Sequence, residues 1–271
     1  MQSAAPVVLP AQAKIEALES IRGMAALLIA IFHIPRWNPA LDITLIRNGH
    51  LMVDLFFVLS GFVICKAYSG RIQSPQDLAR FQVLRFGRLY PVHLIFLCFF
   101  LLVEVAKYVA QEQFGVSSPN SQPFRESGGL AFVQQLFLVQ AIGPTGNTFS
   151  FNGPAWSISV EFYTYLIFAM AVLLFGRIKP YVFATISLGS LLVLLTGRGA
   201  GFDALLSCTS GFFMGALVAL ATQKWKSSLP GIASLIVFAG LVAYLSIVEG
   251  DRSPHAILFV TAALIFTLVA A

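Results

Sequence analysis

Residues 49–63 read GHLMVDLFFVLSGFV. An apolar run of the kind that enters a bilayer starts here with a carboxylic acid, Asp54, just inside it. Ionised carboxylates are costly at membrane depth; they are rare there and mark function by default. The stretch decides two matters together. The chain is built for lipid, and it carries polar chemistry inside its lipid-soluble body.

The rest of the sequence agrees with the first point. Of 271 residues, 58% are hydrophobic and 11% are charged, and the mean hydropathy is +0.83. A soluble domain carries about a quarter charged residues. The 25 phenylalanines are spread along the whole length, so the excess is not one buried core. A spanning helix needs about 20 mostly apolar residues. Eight segments approach that length: 18–35, 49–68, 91–110, 154–175, 180–197, 202–222, 229–248 and 254–271. The expected fold is all-α, a polytopic transmembrane helical bundle with about 8 visible spans.

Orientation follows from the excess of Lys and Arg in cytoplasmic loops. With the N-terminus inside, the cytoplasmic side holds Arg71, Arg80, Arg85, Arg88, Arg177, Lys179, Lys224 and Lys226, against the scattered Arg36, Arg47, Arg125, Arg198 and Arg252 outside. Residues 1–17 then form a cytoplasmic tail, because MQSAAPVVLPAQAKIEALES lacks the basic start and short apolar run of a signal peptide. Residues 18–271 form the integral-membrane domain, in the plasma (inner) membrane. The chain stops at FTLVAA inside an apolar run, so it is expected either to end at the membrane face or to be part of a longer protein. The net charge of +5 reports basic loops, and nucleic acid is not an expected partner. The long connection 111–153 is rich in Gly, Pro, Ser and Asn and reads as an external loop, with 130–142 lying along the interface. Asp54-x5-SGF and Asp203-x6-SGF hint at an internal repeat.

Several ionisable residues sit where lipid would exclude them. Arg22 and His33 are eleven positions apart, which returns them to within about 20° of one helix face, roughly 16 Å apart along the axis. A snorkelling arginine and an interfacial histidine are the plain alternatives. Asp54 comes to nearly the same depth as His33, and a carboxylate beside an imidazole fixes its tautomer and raises its basicity, as a general base requires. Asp54 as a first-turn acid favoured by the helix dipole is the plainer reading. Arg85 and Arg88, three apart in ARFQVLRFGRLYP, share a helix face and suit phosphates, whether of a ligand or of lipid headgroups. Glu161, in NGPAWSISVEFYTYL, is a further acid at the outer third, with Ser157 four residues before it as a candidate hydrogen-bond donor. His50, His93 and His255 fall at span edges, where a histidine is usually interfacial. The cysteines Cys65, Cys98 and Cys208 have no metal-ligand spacing, HExxH is absent, and no metal is expected.

Four ordered elements, Arg22-x10-His33, VDLFFVLSGF, Arg85-x-x-Arg88-x-x-Pro91 and PAWSISVEFYTYL, resemble the membrane-bound acyltransferase-3 family. The resemblance covers about residues 20–165. It implies transfer of an acyl group, commonly acetyl, from acyl-CoA to a hydroxyl of a sugar, an antibiotic or an envelope polymer: O-acetylation and polysaccharide modification at a bacterial inner membrane. Acyl-CoA is then a co-substrate reached from the cytoplasm, and the acceptor is a carbohydrate or glycolipid. Residue by residue, it makes His33 the catalytic base, Asp54 its orienting acid, Glu161 the acid of the Trp-Ser-x-Ser-Val-Glu element, and Arg85, Arg88 and Arg22 the cations of the donor site. The family usually has more spans than these eight and a late histidine-containing element that this sequence lacks. Thr164 also stands where the family commonly has an aromatic residue. Two other classes fit the same polar residues: a proton-coupled transporter or flippase of a glycan or metabolite, and a scaffold in which they hold helices together.

Overall fold

The structure, a computed structural model, describes residues 16–34, 42–116, 122–224, 232–248 and 256–270. The tail before Glu16, and with it most of the expected cytoplasmic extension, lies outside them, as do Arg36, Lys226, Arg252 and His255. The elements in order are α1 (Glu16–Phe32), α2 (Thr44–Arg47), α3 (Met52–Tyr68), α4 (Pro75–Phe114), α5 (Gly129–Leu136), α6 (Trp156–Phe175), α7 (Lys179–Leu195), α8 (Asp203–Lys224), α9 (Ile232–Ile247) and α10 (Ala256–Ala270). No strand occurs among the described residues.

Each of the eight apolar segments coincides with a helix. Among the described residues, four helical stretches are long and apolar enough to cross a membrane: Thr44–Tyr68, Pro75–Phe114, Gly153–Leu195 and Asp203–Lys224. The third contains two passes. Phe168 and Phe183 are fifteen residues apart, which in one straight helix is about 22 Å, yet their ring centroids are 5.6 Å apart. The chain has doubled back at Gly176, whose φ of +40° is open to glycine. The other three apolar segments form α1, α9 and α10, of 17, 16 and 15 residues. The protein is an all-α, polytopic membrane protein.

The centre of the bundle is the crossing of α3 and α8. Ser207, Gly211, Gly215 and Ala219 recur every fourth residue on α8, the small-residue stripe that lets membrane helices approach closely. A Cβ added at Gly215 would lie 1.8 Å from the Val58 carbonyl oxygen, and one at Gly61 would lie 1.8 Å from that of Phe212. Backbone therefore meets backbone from both sides. Asp54 pairs with Ser207 near the start of both helices, and the Val58–Phe62 turn meets Gly215 further along both, so α3 and α8 run parallel. The two SGF elements sit at this crossing. Around it Phe168, Phe183, Phe212 and Phe213, all fully buried, interlock edge to face and tilted, joining α6, α7 and α8.

Helix α4 departs from the expected boundaries. Its 40 residues make a rod of about 60 Å, twice the hydrocarbon thickness. It begins well before the span expected at 91–110, at a capping box. Ser74 Oγ accepts from the Asp77 N–H, and Asp77 Oδ2 accepts from the Ser74 N–H, with Pro75 at the first helical position. The helix continues through Pro91 and stops only at Gly115, where φ is +64°. The arginine-bearing segment is thus part of the same rod as the apolar span. Ile95, Phe99 and Leu102 on it are more than half exposed, a pattern that suits lipid as solvent.

The connection after α4 does not stand clear of the bundle. Glu104 Oε2 accepts from the Phe124 N–H, His93 Nε2–H donates to the Gln135 carbonyl, and Tyr90 OH donates to the Leu136 carbonyl. From Glu104 to Tyr90 is about 21 Å along α4, so the segment descends beside that helix. Its polarity is inverted: Gln135 and Gln140 are fully buried, while Leu130 and Phe137 are more than two-thirds exposed. Irregular backbone at membrane depth is tolerated only where its polar groups are satisfied by protein. Here Gln134, Gln135 and Gln140 donate to the carbonyls of Thr145, Ser150 and Ala155, and Ser159 and Tyr163 of α6 donate to those of Leu138 and Phe137.

Candidate active site

Helix α3 presents three polar side chains along its length, and each meets a partner from another helix. At its outset Asp54 Oδ1 accepts from Ser207 Oγ of α8 at 2.5 Å. In the middle Ser60 Oγ donates to Glu161 Oε1 of α6 at 2.6 Å, the same oxygen accepts from Tyr165 OH at 2.5 Å, and Ser60 Oγ and Tyr165 OH lie 2.9 Å apart. At its end Tyr68 OH accepts from Arg85 Nη2 of α4 at 3.2 Å. Asp54 and Tyr68 are about 21 Å apart along the axis, so α3 carries a polar row through the interior.

Further contacts tie the row together. The Arg85 guanidinium lies 5.3 Å from the Tyr68 ring centroid and 5.7 Å from that of Phe81, within cation–π range. Phe81 in turn meets Tyr165 edge to face at 6.1 Å. Cys208, fully buried next to Ser207, links α8 to α6 as well: its Sγ accepts from Thr164 Oγ1 at 3.3 Å, three residues beyond Glu161. A cation at one end is thus joined to two carboxylates toward the other. Glu161 takes its serine from α3, not from its own helix: Ser157 Oγ donates to the Pro154 carbonyl instead.

The first helix stands apart from this row. His33 is exposed, and its Nδ1–H donates to the Ile29 carbonyl at 2.8 Å. A carbonyl can only accept, so the contact fixes the Nδ1–H tautomer of the neutral ring and leaves Nε2 as a free lone pair. No hydrogen bond or ion pair joins His33 to Asp54. His50 stands four residues before Asp54 in the sequence, one turn earlier on the helical path that enters α3. His50 Nδ1–H is likewise committed to a carbonyl, that of Arg47, at 3.0 Å. The Phe32 ring touches both imidazoles, with centroids 5.1 Å from His33 and 5.4 Å from His50. Arg22 and Arg88 are exposed, whereas Arg85 is partly buried.

Of the sequence-derived residues, the structure therefore connects Asp54, Glu161 and Arg85 in one interior row, and leaves His33, Arg22 and Arg88 outside its hydrogen bonds. Ser60, Tyr165, Ser207 and Tyr68 complete the row and were not among the expected residues. His50 was set aside as an edge histidine, although its i, i+4 spacing to Asp54 was visible. No group of three or more His, Cys, Asp or Glu side chains that could hold a metal occurs among the described residues.

A polytopic helical membrane protein with a buried row of acids, hydroxyls and a guanidinium is the class that fold and site define. The sequence matches the family described as Acyltransferase domain over residues 15–271, and the chain belongs to that family. It is similar to "Protein 2 in picA locus" of Rhizobium radiobacter, 32% identical over 164 residues, covering 56% of this chain and 79% of that protein. It is also similar to "Acyltransferase MdmB" of Streptomyces mycarofaciens, 31% identical over 169 residues, covering 59% of this chain but only 40% of that longer protein. No solved structure matches it.

Proposed function

We propose that the protein is an acyl-CoA-dependent O-acyltransferase of a bacterial inner membrane, with its N-terminus cytoplasmic, that moves an acyl group, acetyl by the family's habit, onto a hydroxyl of a sugar or envelope glycan. The observation that carries this reading is the interior row from Arg85 to Asp54. A donor with phosphates at one end and a long thin arm ending in a thioester matches a site with a guanidinium at one end, Glu161 about 12 Å along α3 and Asp54 about 21 Å along it. Arg85 takes the phosphate-bearing end, with Arg88 and Arg22 assigned to the donor by the family resemblance, and the thioester reaches the carboxylate end.

His33 is the base. With Nδ1–H held by the Ile29 carbonyl, its free Nε2 removes the proton of the acceptor hydroxyl. The oxygen attacks the thioester carbonyl carbon, a C–O bond forms, the C–S bond breaks, and the departing CoA sulfur takes the proton from the imidazolium. Asp54 is the acid assigned to stabilise that positive charge, acting as a nearby carboxylate and not through a hydrogen bond to His33. Glu161, with one carboxylate oxygen held by Ser60 and Tyr165, keeps the other oxygen for the acceptor.

The test is purified protein in proteoliposomes with radiolabelled acetyl-CoA and candidate glycan acceptors. Acceptor-dependent label transfer, reduced about 10²- to 10⁴-fold in a folded His33→Ala variant, is the expected result. Proton-coupled uptake of a substrate with no consumption of CoA would replace the enzyme by the transporter reading.

A further inference from the structure

The turn between α3 and α4 encloses a cavity of about 340 Å³ whose walls include Tyr68, Arg71, Asp77, Arg80 and Phe81. That volume lies at the small end of ligand cavities; it admits a phosphorylated sugar but not a whole CoA molecule. Its charge is unbalanced. The acid, Asp77, is already occupied by the helix cap, its Oδ2 accepting from the Ser74 N–H, Ser74 Oγ–H and Gln73 N–H. Neither the Arg71 nor the Arg80 guanidinium has a hydrogen bond or ion pair among the described residues, and both are exposed at the cavity. Two unpaired guanidiniums beside a committed acid fit a phosphate, which they can grip bidentately.

A second observation points the same way from the far side of the wall. Arg85 packs on Tyr68 and Phe81, the two aromatic side chains that line the cavity. Its Nε–H is buried and has no partner. A buried charged donor left unpaired is costly, and an anion at this corner would relieve it. The cavity thus opens beside the one cation that leads, through Phe81 and Tyr165, to Glu161.

Building on the acyl-CoA reading, we propose that this cavity seats the 3′-phosphorylated ribose at the nucleotide end of the donor, with the 3′-phosphate on Arg71 and Arg80 and the diphosphate leading out of the cavity past Tyr68 and Phe81 toward Arg85. The shared chemistry is a phosphate monoester, and the headgroup of phosphatidic acid could supply the same group. The position decides for the donor: the cavity adjoins the polar row, and a headgroup would have no use for that continuity.

The experiment uses the full chain in nanodiscs and compares wild type with Arg71→Gln, Arg80→Gln and the two Lys variants at those positions. The first readout is binding of adenosine 3′,5′-bisphosphate. The second is the pair of KM values for acetyl-CoA and for acetyl-pantetheine, which lacks the nucleotide. Each Gln variant should weaken bisphosphate binding about tenfold and raise KM for acetyl-CoA by a similar factor, with KM for acetyl-pantetheine and kcat unchanged. The Lys variants should recover part of both. If wild type transfers acetyl groups and the Gln variants leave both readouts unmoved, the subsite is wrong and the proposed activity stands. If wild type binds the bisphosphate through Arg71 and Arg80 but transfers nothing, the subsite stands and the activity is wrong. Loss of phosphatidic acid binding in the Gln variants, with nucleotide binding and KM untouched, would make this a lipid site and overturn the proposal.

Discussion

Substituting Gly61 by alanine adds one methyl group, and the structure says what it meets. The new Cβ would stand 1.8 Å from the Phe212 carbonyl oxygen, where ordinary contact begins at 3.4 Å, a shortfall of about 1.6 Å. The obstacle is backbone, so no side chain can rotate away. Helices α3 and α8 must separate or slide by about that amount, and the Asp54–Ser207 hydrogen bond, now 2.5 Å, would stretch beyond hydrogen-bond range. Overpacking of a close-packed interior costs typically about 1–3 kcal/mol and occasionally more. The control lies on α1, where a Cβ at Gly23 meets nothing within 4 Å. There Gly→Ala should be neutral or, from helix propensity, gain up to about 1 kcal/mol. Thermal unfolding of both variants in one detergent, read by loss of the monodisperse peak, separates the two effects. Gly61→Ala should unfold at a clearly lower temperature and lose transfer activity, and Gly23→Ala should do neither. A Gly61→Ala protein as stable and active as wild type would refute the backbone-to-backbone crossing.

Two further substitutions probe the polar row without adding bulk. Tyr165→Phe and Ser60→Ala each remove one of the two donors to Glu161 Oε1; each should lower kcat about tenfold with the fold intact, and the double variant should fall short of the product of the two because the groups share one acceptor. Ser207→Ala leaves Asp54 Oδ1 without its hydroxyl donor and should lower transfer by a comparable factor, measured in the same assay, with Ser207→Thr retaining more activity than the alanine variant.

The helices of this protein were legible because each apolar run is about as long as a bilayer is thick, and each of the eight expected segments contains a helix among the described residues. What the sequence hid is where the helices end and whom they meet. The arginine-rich stretch before Pro91 looks like a boundary, since proline costs a helix a hydrogen bond. Instead α4 starts at the Ser74–Asp77 capping box and runs on through the proline, fusing charged and apolar halves. Glu161 was readable as a buried acid from its surroundings. Its partner Ser60, 101 residues away, was not, because a nearer serine on the same helix offered a cheaper match. Asp54 was placed beside His33 from depth alone; depth fixes a level in the membrane but not a direction around a helix, and Ser207 of α8 is the group that meets it. The glutamines that hold the α5 connection against α4 and α6 carried no local pattern, since their acceptors are carbonyls of a loop with no periodicity.

The central claim is that one donor lies along α3, phosphates at the Arg85 end and acyl carbon at the acid end. The direct measurement is a cryo-electron microscopy map of the full chain bound to an acetyl-CoA analogue whose thioester sulfur is replaced by methylene. The account predicts phosphate density beside Arg85 and Tyr68 and the carbonyl between Glu161 and Asp54. An analogue lying with its carbonyl beside Arg85, or on the lipid-facing side of α4 away from α3, would contradict it.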